Sequence, residues 1–81
     1  MVNTELLEKR ISERGLKKSY LAEKIGISRA GLYLKMGNSN EFTAKEIMIL
    51  CDELDITKLS DKEAIFFAKK VEKNNSTNED T

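Results

Sequence analysis

Apolar side chains recur at three- and four-residue intervals along almost the whole chain, strict alternation never persists, and no proline interrupts the pattern. A half-buried strand needs alternation of period two, so this spacing predicts helices throughout and an all-α fold. The chain of 81 residues is long enough for one domain with a modest core and a small stability margin. No apolar run approaches the about 18 residues of a membrane-spanning helix. The opening Met1-Val2-Asn3-Thr4-Glu5 lacks a basic region followed by an apolar one, so no cleaved leader is expected. A single cysteine, Cys51, leaves no internal disulfide and suits a reducing cytoplasm, the expected compartment. With no histidine and one cysteine, the usual zinc ligand sets and the commonest general base are missing. No nucleophile–base pair or phosphate-binding loop stands out. The expectation is therefore a non-enzymatic protein without metal, cofactor or small-molecule ligand.

Sparse turn residues divide the helical pattern into five segments. The first runs from about Thr4 to Arg14, capped by Asn3 or Thr4 and ended by Gly15, with Leu7 and Ile11 on one face. The second runs from Lys18 to Ile25 and is ended by Gly26; the third starts at Ser28 and reaches Met36. Gly37-Asn38-Ser39-Asn40 reads as a loop. The fourth covers about Thr43 to Leu54, where Thr43-Ala44-Lys45-Glu46 has the capping-box pattern and Ala44, Ile47, Met48, Leu50, Cys51 and Leu54 form a wide apolar face. Cys51 is expected to pack as a small apolar residue against the second helix. A second capping-box pattern, Ser60-Asp61-Lys62-Glu63, predicts a fifth helix through Ala68 and as far as Val71. The folded domain is expected to span residues 1–73, and the polar stretch 74–81 to be a disordered tail.

The neutral total charge conceals an imbalance. Residues 1–40 carry eight basic side chains against four acidic ones, and residues 41–81 carry six against ten. The basic excess concentrates between Arg14 and Asn38, where Arg14, Lys17, Lys18, Lys24, Arg29 and Lys35 face one acid, Glu23. Such a strip suits an anionic partner; a solvated surface with an uneven charge distribution is the plainer reading.

That strip coincides with two short helices meeting at Gly26. A sharp turn between them needs a residue that accepts positive φ, and a close crossing needs a small side chain, supplied by Ala22 four residues earlier. Leu21, Ile25, Ile27 and Leu32 can fill the space between the helices, and Ser28 is placed to cap the third. The run Leu21-Ala22-Glu23-Lys24-Ile25-Gly26-Ile27-Ser28-Arg29 resembles the helix-turn-helix core of the Cro and lambda-repressor superfamily, also called the xenobiotic response element family. Leu32-Tyr33-Leu34-Lys35-Met36, then Phe42-Thr43 and Ile47, and the ending Ile65-Phe66-Phe67 are similar to short phage Cro-like regulators. The resemblance covers roughly residues 5–68 and implies a five-helix lambda-repressor-like domain. The sequence departs from the family at Lys18, where Gln is frequent, at Lys35, where an aromatic is frequent, and at Gly37-Asn38, where the order Asn-Gly is frequent.

In that fold the third helix enters the major groove and the second crosses the backbone above it. The resemblance implies base reading by Arg29, Ala30, Tyr33 and Leu34. Arg29 can pair bidentately with a guanine and Ala30 can meet a thymine methyl. Phosphate contacts fall to Lys17, Lys18, Ser28, Lys35, Asn38 and Ser39, aided by the free N–H groups opening the second helix. Plainer readings stand beside these: Tyr33 and Leu34 as core, Lys24 and Glu23 as a solvated face, Lys35 as a stem laid over the core. Phe66 and Phe67 are adjacent on a helix and cannot both enter a small core. They are assigned to a homodimer interface, one packing inside and the other outside, with a plain surface or core role as the alternative. The implied function is sequence-specific double-stranded DNA binding by a transcriptional repressor or Cro-like regulator of phage or prophage type, acting as a homodimer on DNA. A DNA-binding antitoxin and a helical protein-interaction adaptor without DNA binding are the other readings.

Overall fold

Side-chain caps and left-handed glycines set the helix ends. Asn3 Oδ1 accepts the Leu6 N–H at 3.1 Å, Ser28 Oγ that of Gly31 at 3.0 Å and Thr43 Oγ1 that of Glu46 at 3.1 Å. Each removes one of the unpaired donors that open a helix. The computed structural model describes residues 1–69. Its helices are α1 (Thr4–Arg14), α2 (Lys18–Ile25), α3 (Arg29–Met36), α4 (Ala44–Glu53) and α5 (Leu59–Phe66), with no strand among the described residues. The expected tail at 74–81 and the domain end at residue 73 lie outside the described residues.

The turn between α2 and α3 is a Schellman motif. Gly26 has φ +83°, the Ile27 N–H donates to Ala22 O at 3.0 Å and the Gly26 N–H to Glu23 O at 3.1 Å. Ile27 then packs against the core beside the buried Ala22. With the chain redirected there, α2 packs against both α3 and α4, while α1 packs against α5. Leu7, Leu21, Leu32, Leu50, Leu54 and Ile56 are fully buried at the centre. Each contributes roughly 1.5–3 kcal/mol by leaving water. Cys51 is buried as expected, and burial pushes its thiol pKa up.

Polar contacts tie distant segments together. Arg10 Nε donates to Leu54 O at 3.0 Å and its Nη2 to Asp55 O at 2.7 Å, so α1 satisfies carbonyls left open at the end of α4. Lys35 of α3 meets Glu46 of α4, with Nζ at 2.7 and 2.9 Å from the two carboxylate oxygens. Glu46 also accepts the Thr43 N–H at 2.9 Å, completing the expected capping box. Burial would raise the Glu46 pKa, but the Lys35 and Thr43 hydrogen bonds outweigh it and hold the carboxyl below its ordinary value.

Several expectations are corrected. Ser60–Glu63 forms no capping box: α5 starts one residue earlier, at Leu59, with the extended Lys58 as its N-cap and no side-chain capping bond. Ser60 therefore lies inside the first turn, where its backbone is helical. The helix ends at Phe66 instead of continuing through Ala68. The apolar face of α4 is narrower than its sequence suggests, for Ala44 is exposed and Met48 is 71% exposed. Of the two aromatic residues expected to divide between core and interface, Phe66 is the inner one. It is buried and stands edge-on to Phe42, with centroids 5.9 Å apart and rings at 86°, while its neighbour Phe67 is 60% exposed.

Two stability measurements follow from these contacts. A Cβ on Gly26 would meet nothing within 4 Å, so Gly26→Ala should lose only the cost of left-handed backbone, about 1–2 kcal/mol. Gly26→Asn should lose less, as a smaller drop in the urea midpoint. Glu46→Gln should lower stability at neutral pH by about 1–2 kcal/mol. Because the folded Glu46 pKa is depressed, the contribution is complete above the unfolded carboxylate pKa and disappears as pH falls through the folded value. Wild-type and variant urea midpoints should therefore converge in acid, and a gap that stays constant from neutral pH to acid would remove this assignment.

Candidate nucleic-acid interface

The outward face of α3 is built by what its inward face buries. Leu32 and Met36, four residues apart, enter the core. Ala30, Tyr33 and Leu34, spaced by three and four, are consequently left on the solvent side. Tyr33 is 46% and Leu34 48% exposed, so neither packs in the core. Arg29 and Ala30 lie exposed in the first turn, immediately after the Ser28 cap. All four sequence-assigned base readers share one accessible surface on a helix of eight residues. A helix is about 10–12 Å across with its side chains, which fits a major groove about 12 Å wide, and at about 1.5 Å per residue this one presents about 12 Å of length to the bases.

A cationic cluster borders this face. Lys18, at the start of α2, has Nζ 5.7 Å from the Tyr33 ring centroid, and the Arg29 guanidinium carbon is 6.0 Å from it. Both lie within cation–π range. The same Lys18 ammonium is 2.8 Å from Glu8 Oε1 of α1. That hydrogen bond raises the Lys18 pKa against the opposing effect of burial. Lys17 is exposed just before α2 and makes no ion pair among the described residues. The first turn of α2 contains no acid, and Lys17 gives no side-chain cap to its open N–H groups. Two lysines and unpaired backbone donors therefore meet at one end of α2 beside the exposed face of α3. That combination suits a phosphate oxygen.

Two of the six sequence-assigned phosphate residues serve the fold instead. Lys35 is only 16% exposed at its side chain, and its ammonium is chelated by Glu46. Turning it towards a phosphate would abandon a partly buried carboxylate. Asn38 takes the left-handed conformation at φ +68°. Its amide clamps the Val2 backbone, accepting the Val2 N–H at 2.7 Å and donating to Val2 O at 2.9 Å. Ser39 is exposed beyond it, with its N–H donating to Leu34 O at 2.8 Å. Ser28 is also exposed; its oxygen is committed to the α3 cap, which leaves the hydroxyl hydrogen free to donate.

Sequence reasoning missed Glu8, Thr4 and the structural use of Asn38. Thr4 Oγ1 donates to Met36 O at 2.6 Å, joining the start of α1 to the end of α3. These partners are separated by 32 residues for Thr4–Met36 and 36 for Val2–Asn38, and no periodicity within one helix encodes them. The tolerance of asparagine for positive φ was the one local hint that Asn38 has a conformational role.

The family model of the Cro/C1-type HTH DNA-binding domain matches residues 6–61. This span runs from the first turn of α1 to the first turn of α5 and includes Glu8, Lys17, Lys18 and the whole exposed face of α3. No curated protein and no solved structure matches the chain. With its exposed third helix, its glycine-hinged second and third helices and a match across most of its length, the chain belongs to the Cro/C1-type helix-turn-helix DNA-binding family.

Proposed function

We propose that the chain is a sequence-specific double-stranded-DNA-binding transcriptional regulator, a repressor or Cro-like protein of phage or prophage type, which acts in the cytoplasm as a homodimer on its operator. The observation that carries this reading is the shared accessible face of Arg29, Ala30, Tyr33 and Leu34, bordered by Lys17 and Lys18. Arg29 supplies a planar donor pair for a guanine edge, Ala30 and Leu34 offer apolar contact to thymine methyls, and Tyr33 carries a hydroxyl for a base or phosphate. Lys17, Lys18, Ser28, Ser39 and the opening N–H groups of α2 hold the backbone and fix the register. Repression is the simplest output of such a domain, since an occupied operator excludes competing proteins from the same groove.

A helix of this length reads only a few base pairs. Two copies on half-sites about 34 Å apart would supply the missing specificity. The exposed Phe67, which borders a recess with an apolar floor of Met1, Phe42, Ile47 and Phe66 and a polar edge of Asn38, Asn40 and Glu41, supports a contact between copies at the end of α5.

Titration against duplexes enriched from a random pool tests this directly. Log affinity should fall linearly with log salt, by about 0.9 per phosphate contact; binding that is absent or insensitive to salt would overturn the DNA reading. Lys17→Ala should weaken all duplexes alike and lower the salt slope by about one contact. Arg29→Ala should instead reduce discrimination at one base pair by about 1–3 kcal/mol. In sedimentation experiments Phe67→Ala should abolish paired occupancy of two half-sites while single-site binding persists. Unchanged pairing would remove Phe67 from the interface.

A further inference from the structure

Glu8 lies on α1, away from the exposed face of α3, yet its carboxylate touches the cationic cluster that borders it. Lys18 Nζ stands 2.8 Å from Glu8 Oε1 and 5.7 Å from the Tyr33 ring centroid, and Arg29 shares that ring at 6.0 Å. Two cations on one aromatic ring repel each other, and neither is fixed by burial: Lys18 is half-buried and Arg29 is exposed. Tyr33 is itself nearly half exposed, so the core does not fix its rotamer. The Glu8 carboxylate offsets the repulsion and gives the flexible lysine one preferred position.

We infer that Glu8 is a positioning residue for sequence readout: by anchoring Lys18 against Tyr33, it holds the Tyr33–Arg29 pair in its reading arrangement before DNA arrives. This inference rests on the DNA-reading role proposed above. Ordering long side chains at the moment of binding opposes association, and an arrangement made beforehand reduces that penalty. Glu8 need not be displaced, because an ammonium has three N–H groups and only one is used by Oε1. Lys18 can hold Glu8 and still donate to a phosphate.

The charge of Glu8 makes the inference separable from a structural role. A carboxylate near the DNA backbone opposes binding of any duplex, whereas a positioning role favours only the selected one. Glu8→Gln should therefore leave affinity for random duplex unchanged or raised, while the ratio of selected-site to random-duplex affinity falls about fivefold to tenfold. In the free protein the Tyr33 ring resonances should shift. Tyr33→Phe retains the ring and should retain the dependence on Glu8; in a Tyr33→Leu background Glu8→Gln should have no further effect on the ratio.

The measurements are selected-site and random-duplex affinities at one salt concentration, thermal melting of each variant, and Tyr33 ring NMR without DNA. A folded Glu8→Gln with unchanged ratio and unmoved ring resonances overturns the inference, as does a proportional fall in both affinities, which marks a stabilising role alone. If Glu8→Gln does not fold, Glu8→Asp, which keeps the charge and withdraws it by one methylene, carries the same comparison. If the wild-type protein selects no sequence at all, the DNA reading itself fails and the inference fails with it, a result distinct from normal selection that ignores Glu8.

Discussion

The left-handed backbone at Gly26 determines where α3 can go. The paired hydrogen bonds onto Ala22 and Glu23 close α2, and the chain leaves in a direction that only a residue without Cβ accepts cheaply. Ala22 is buried on the inner side of the same turn, and Leu21, Ile25 and Leu32 enter the core on either side of it. The core can therefore take one face of α3 and must leave the opposite one in water. Exposure of Tyr33 and Leu34 is a consequence of this geometry, because among the described residues no other element covers them. A helix with the same sequence behind a different turn would bury another set of side chains.

Charge enters at the next level. The basic strip read from the sequence is divided by its carboxylate and carbonyl neighbours into cations that build the fold and cations that face outward. Within the strip Lys35 belongs to Glu46, and outside it Arg10 of α1 is likewise spent on the carbonyls at the end of α4. Lys18 stands between the two uses, shared by Glu8 and Tyr33. Lys17 and Arg29 remain exposed. A count of basic residues thus overstates the positive surface available to an anion; the partition depends on which acids the fold brings within about 4 Å, where Coulomb attraction competes with hydration.

The limits of what could be read beforehand follow the same division. Helix existence and most boundaries were legible because apolar spacing, Gly15, Gly26 and the residues Asn3, Ser28 and Thr43 act within one turn of where they stand. The start of α5 was not, because Lys58 takes the cap position without a side-chain bond and the helix is held by Ile65 and Phe66 in the core, at its far end. The exposed face of α3 was legible through the family resemblance, which placed Arg29, Ala30, Tyr33 and Leu34 outward, while the residues alone left Tyr33 and Leu34 open to a core role. The roles of Lys35 and Asn38 were not, since their partners, Glu46 and Val2, are brought to them by tertiary packing. Choosing between Phe66 and Phe67 likewise required knowing where Phe42 would stand.

The N-terminal segment gives α3 a second support, at the end opposite Gly26. Thr4 bonds the last carbonyl of α3, Asn38 clamps both backbone groups of Val2, and Asn3 N–H donates to Ile65 O at 2.7 Å. Met1 O in turn accepts the Ala68 N–H at 2.9 Å, next to the exposed Phe67. A short, continuous path of backbone and amide hydrogen bonds therefore runs from the end of α5 through residues 1–3 to the end of α3. On the dimer reading, a contact at Phe67 would fix the angle of α3 through this path as well as through the core. Half-site spacing is a geometric property of two reading helices, so its precision depends on how stiffly each helix is joined to the contact between copies. Hydrogen bonds at both ends of the path and buried apolar packing along α1 and α5 provide that stiffness without requiring α3 to touch the partner.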